Sequence, residues 1–175
     1  MFKSFSDQAK SAFEKDKIYD LLIGKDEYFI YCMLASVPTD WTFAIPGLYS
    51  FYEETEDENV KKEIVNKYEK AINKLVDDGN NEQFENDIRA INLWTAVNVL
   101  FFQIDQEEKN KTPFKIDRKI CDKLKENIKK NRDILKNCHK FVGHNDEDGL
   151  TYDIFRLNNI LKNDYKISPF IWILN

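Results

Sequence analysis

The sequence predicts an all-α bundle of about six or seven helices. Apolar residues recur at three- and four-residue steps along most of the chain, and no run alternates apolar with polar residues as a half-buried strand would. Only five Gly and four Pro punctuate 175 residues, too few for a turn-rich all-β domain. The chain is 33% charged, but its 42% hydrophobic and 14% aromatic content gives it a core to bury, unlike a disordered acidic segment. One domain spanning 1–175 is expected, because no repeat, linker or low-complexity tract divides the chain.

In chain order, a first helix is expected over about 7–23, ended by Gly24, and a second over 26–36. Pro38-Thr39-Asp40 reads as the start of a third, which Pro46-Gly47 should interrupt. Val60, Ile64, Tyr68, Ile72 and Leu75/Val76 form one apolar stripe, ending before Gly79. Phe84, Ile88, Ile91, Trp94, Val97, Phe101 and Ile104 form a longer one. Ile120, Leu124, Ile128, Leu135 and Val142 form a third stripe, stopping at Gly143, and Leu150, Ile154, Leu157 and Leu161 a fourth. The apolar tail Tyr165–Leu174 contains Pro169 and is either a short extended segment or packing filler.

Three widely spaced cysteines, Cys32, Cys121 and Cys138, suit a reducing cytoplasm better than a secreted disulfide framework. The first residues lack the apolar core of a signal peptide. The longest apolar stretches, Tyr28–Val37 and Leu93–Ile104, fall short of the roughly 18–20 residues that span a bilayer, so no membrane partner is expected.

Charge is uneven. Residues 109–140 carry twelve Lys/Arg against four acids, a net of +8, which leaves −13 on the rest of a chain whose total is −5. The acidic bulk repels nucleic acid, while the basic segment is able to touch phosphate.

The chain lacks a Gly-rich phosphate loop, a Cys-x-x-Cys pair, a Gly-x-Ser-x-Gly elbow and a His-Glu-x-x-His helix. Imidazole chemistry is confined to His139 and His144. On one continuous helix, positions 128, 132, 135, 139 and 142 share a stripe, so Arg132 and His139 would interrupt an apolar row. Such residues either pair structurally or line a functional interface. Cys121, Cys138, His139 and His144 are metal-ligand types, but sixteen residues separate the cysteines, so neither a metal nor another cofactor is expected.

Arg132-x6-His139, with a polar residue directly after the Arg, resembles the motif of the HEPN superfamily of bacterial conflict proteins. A second frame, Cys138 to Asp146, resembles the abortive-infection branch, with Cys138 standing where Arg is expected and His139 where Asn is expected. The resemblance implies metal-independent RNA cleavage across a homodimer interface. Arg132 would stabilise the phosphate, and His139 or His144 would deprotonate the 2′-hydroxyl.

A different surface stands out between Trp41 and Glu58, where five aromatics run into five acids within eighteen residues. The aromatics are either core, with the acids decorating a helix start, or anchors of a protein-binding surface whose acids steer a basic partner. Tyr49, Tyr52, Glu53, Glu54, Glu56, Asp57 and Glu58 are the residues such a surface would use. In size and charge the chain resembles small acidic bacterial immunity and antitoxin proteins, as found in toxin–antitoxin and contact-dependent growth inhibition systems. That likeness implies a non-catalytic cytoplasmic protein that neutralises a basic nuclease toxin. RNA is a partner only if the chain is instead a HEPN-type endoribonuclease.

Overall fold

The computed structural model describes residues 4–23 and 41–139. They form seven helices and no strand: α1 Phe5–Glu14, α2 Ile18–Ile23, α3 Trp41–Glu54, α4 Glu58–Asn80, α5 Asn86–Glu108, α6 Arg118–Lys130 and α7 Arg132–His139. The all-α architecture is as the periodicity requires. The expected helix over 26–36, the Pro38-Thr39-Asp40 start, the stripe Leu150–Leu161 and the tail from Tyr165 lie outside the described residues.

The segment 7–23 is two helices rather than one. Ser4 opens α1 with a reciprocal cap: its hydroxyl accepts from the Asp7 amide, and the Asp7 carboxylate accepts from the Ser4 amide. The chain then turns at Asp16, whose φ of 56° is left-handed, a conformation that short polar side chains tolerate. The turn gives α2 its own axis, on which Ile18 and Leu22 enter the core.

Pro46-Gly47 does not interrupt α3, which continues to Glu54 with Pro46 inside it. Pro46 removes one helical N–H, but Ile45, Leu48 and Phe51 on the same helix are buried, and that burial holds the backbone helical. Gly47 serves close approach: a Cβ there would sit 2.6 Å from the Phe5 carbonyl oxygen, so α1 lies directly on the α3 backbone. Phe13 and Phe51 pack edge-to-face along the same seam, with ring centroids 5.4 Å apart.

Asp57 caps α4, accepting from the amides of Asn59 at 2.8 Å and Val60 at 3.4 Å. Its stripe is buried from Ile64 to Val76, with Val60 only partly covered, and the helix continues past Gly79 to Asn80. Gly79 is helical because α5 comes so close: a Cβ would sit 2.5 Å from Leu93 Cγ.

In α5 the stripe starts later than its spacing suggests. Phe84 precedes the helix and, like Ile88, is exposed, whereas Ile91, Val97 and Ile104 are buried beside Leu93, Ala96, Val99 and Leu100. The loop from α5 to α6 folds inward: Phe114 and Ile116 are buried, and Phe114 meets the rings of Tyr49, Tyr52 and Tyr68 at 5.1, 5.7 and 5.4 Å.

The third stripe is also two helices, because the chain breaks at Asn131. The Asn131 amide closes α6 onto the Asn127 carbonyl, and the Asn131 carbonyl begins α7 by accepting from Leu135. The break turns Asn131 and Leu135 inward and leaves Arg132 exposed. Arg132 therefore does not interrupt the apolar row. No helix among the described residues is long and apolar enough to cross a membrane.

Candidate functional site

The acidic residues gather where α3 hands over to α4. Glu53, Glu54, Glu56, Asp57 and Glu58 are all exposed. Their roles differ. Glu54 accepts from Ser6 Oγ at 2.6 Å, tying the corner to α1. Asp57 is the α4 cap. Glu58 takes an ion pair from Lys61 at 2.8 Å, and that hydrogen bond raises the Lys61 pKa. Glu53 and Glu56 have no hydrogen-bond or ion-pair partner among the described residues, so their carboxylates face solvent, Glu56 acting on Lys61 only through its charge.

The two tyrosines expected on this surface belong mainly to the core. Tyr49 is 9% exposed, its hydroxyl bonds Gln103 Oε1, and its ring packs edge-to-face on Phe114. Burial raises its pKa. The structure therefore places Tyr49 beneath Phe114 and beside Gln103 rather than on the surface with the acids, because burying its aromatic ring outweighs its proximity to them in sequence. Tyr52 is half-buried, with one side of its ring against Phe114 and Lys61 Nζ 5.6 Å from the ring centroid. Phe5, half exposed beside the Ser6–Glu54 contact, is an aromatic neighbour that spacing did not single out. It lies outside every stripe.

The residues of the HEPN resemblance are placed in part. Arg132 is the first residue of α7, exposed, and His139 is the last. The His139 side chain and the whole of His144 lie outside the described residues, as does the side chain of Cys138. Cys121 is buried in α6, and burial pushes its thiol up to about 11. Among the described residues no group of three or more His, Cys, Asp or Glu is placed to hold a metal ion.

One polar cluster escaped the sequence reading. Glu107 is 8% exposed, yet its carboxylate accepts from Arg118 at 2.7 Å, from the Ile116 amide at 2.7 Å and from Gln103 at 3.2 Å. Gln103 also donates to Thr112 Oγ1 and the Phe114 carbonyl. The cluster fastens the α5–α6 loop and places Phe114 against the tyrosines. Its only sequence signal was Gln103 and Glu107 at four-residue spacing on an otherwise apolar helix.

Fold and surface together describe an all-α protein with a fixed acidic corner. Compared with known proteins, the chain matches no family model, no curated protein and no solved structure.

Proposed function

We propose that this chain is a non-catalytic immunity or antitoxin protein that works in the cytoplasm and neutralises a basic nuclease toxin through the α3–α4 corner. The observation that carries the reading is five exposed carboxylates within six residues, two of them without a partner among the described residues. A basic nuclease must present cationic groups to phosphate, and an acidic surface competes for the same groups. The Asp57 cap and the Ser6–Glu54 bond hold the backbone of the corner in place, so association orders its side chains but not its backbone.

The test is association kinetics with a basic nuclease toxin domain, sought first among the products of the genes neighbouring this one. Lysine substitutions at Glu53, Glu54, Glu56 and Glu58 are expected to slow association roughly tenfold or more at low salt, with a smaller change in dissociation. Asp57 is left intact because replacing it would uncap α4. Unchanged association with the quadruple variant removes this surface from the account.

A second reading rests on Arg132, exposed at the first position of α7. It makes the chain a homodimeric HEPN-type endoribonuclease, using Arg132 and His139 or His144. Metal-independent cleavage of total RNA, lost in Arg132→Ala and His139→Ala, would establish the enzyme. A protein that expresses harmlessly and leaves RNA intact supports the binder.

A further inference from the structure

The α4–α5 turn and the α6–α7 break meet at one end of the bundle, and Arg89 lies between them. It is 7% exposed, in the first turn of α5. Its guanidinium donates to the Asn131 Oδ1 and, at 3.4 Å, to the Asn86 Oδ1. Both acceptors are neutral amides, and no carboxylate among the described residues pairs with it. The Nε–H is fully buried and has no acceptor among the described residues. The neighbouring amides are already committed: Asn131 Nδ2 donates to Asn80 Oδ1 at 3.1 Å and to the Asn127 carbonyl at 2.8 Å.

This arrangement is unusual on charge grounds. A buried guanidinium is ordinarily neutralised by a carboxylate, because leaving an ion in low dielectric without a counter-charge is costly. Helix dipoles do not supply the missing charge. The carbonyl ends of α4 and α6 reach this junction, but the amide ends of α5 and α7 begin there too, and the two contributions oppose each other. Of the acids flanking this turn, Glu82 and Glu85 are exposed to solvent, Glu82 stands 3.9 Å from Lys130, and the Asp87 side chain lies outside the described residues. Among the described residues, then, Arg89 is a fixed positive charge with one N–H of its planar fork unused, the geometry that receives a carboxylate or phosphate oxygen.

We propose that the junction of the α4–α5 turn with the α6–α7 break is a binding site for a small oxyanion, a carboxylate or phosphate group, seated on Arg89 Nε. The site is independent of the acidic corner. Asn131 makes it, by holding the guanidinium from the α6–α7 break while Asn86 holds it from α5. Because Arg89 Nε has no surface open to solvent, an oxyanion reaches it only when the α4–α5 turn and the α6–α7 break part slightly. Once bound, it would link the helix pairs α4–α5 and α6–α7 through one contact.

Arginine Nε–H signals of the full-length protein provide the test, because the chain has only four arginines, Arg89, Arg118, Arg132 and Arg156. Titration with inorganic phosphate, and separately with sodium acetate, at constant ionic strength set by sodium chloride, should shift the Arg89 signal saturably. The other three serve as internal controls. Saturation by phosphate alone identifies a phosphate-bearing ligand, and saturation by acetate a carboxylate. The same anion should raise the thermal midpoint of the wild type and not that of Arg89→Met or Arg89→Lys. An Arg89 signal that does not move, or that drifts in proportion to anion along with the others, overturns the proposal. A buried water would then be the partner of Nε.

Discussion

Arg118 donates to Glu107 at 2.7 Å across the loop that joins α5 to α6, but the two residues are not equivalent partners. The Glu107 side chain is 5% exposed and the Arg118 side chain 46%. Glu107 also satisfies the Ile116 amide and Gln103, so its carboxylate serves three donors while Arg118 is half solvated.

That asymmetry sets an order of effects. Glu107→Ala strands the buried Ile116 amide and frees the loop, and should lower stability by about 2–3 kcal/mol. Arg118→Ala leaves the other two donors in place and should cost about 1 kcal/mol or less. Urea unfolding followed by circular dichroism reads both, and equal losses would show that the ion pair, rather than the loop clamp, holds the segment.

Pro46 and Gly47 should respond oppositely to alanine. Pro46→Ala restores a helical N–H inside α3 and should stabilise by about 1 kcal/mol, a fraction of the roughly 3 kcal/mol a helix-interior proline costs. Gly47→Ala drives a methyl group toward the Phe5 carbonyl, where the obstacle is backbone, and should destabilise by about 1–3 kcal/mol despite alanine's better helix propensity. Denaturation midpoints of the two variants decide it. Loss of stability in Pro46→Ala would mean the proline fits its place in α3.

Alkaline pH should weaken the fold in a defined order. The Cys121 thiol is raised by burial from 9.0 to about 11, so the folded state keeps a proton that the unfolded chain releases. Stability from this group is intact below about pH 9 and is lost as pH rises from there toward about 11, by about 1.4 kcal/mol per unit. Tyr19, Tyr49 and Tyr68 are all raised from 10.0, chiefly by burial, so the decline should steepen above about pH 10. Chemical denaturation between pH 7 and 10.5 measures this, and Cys121→Ala should flatten the curve between pH 9 and 10 without removing the steeper part.

Helix existence was legible in the sequence; helix interruption was not. The stripes through Ile64, Tyr68 and Ile72 and through Ile120, Leu124 and Ile128 follow from burying one face of an amphipathic helix, which spacing records directly. The Asn131 break leaves no comparable mark. It carries neither Gly nor Pro, and its cause is a carboxamide that bonds Arg89 and Asn80, residues distant in sequence. Without knowledge of that contact, Arg132 falls on the wrong face. Pro46-Gly47 erred in the other direction, since a local breaker signal was overridden by packing of α1 on α3. Of the acidic corner, the exposure of the five carboxylates was readable from composition alone. The burial of Tyr49 was not, because it depends on Phe114 arriving from sixty-five positions further along the chain.

The inward fold of the α5–α6 loop also bears on how the protein meets proteases. Lys109, Lys111 and Lys115 offer trypsin three exposed side chains on a connector. The backbone around them is not loose: the Lys111 amide is bonded to the Gln106 carbonyl, the Ile116 amide to Glu107, and Phe114 is locked among three tyrosine rings. A protease must draw the connector into its cleft in extended form, which requires pulling Phe114 and Ile116 out of the core. Digestion at these lysines should therefore report the opening of the bundle as a whole, and its rate should fall with every substitution that stabilises the fold.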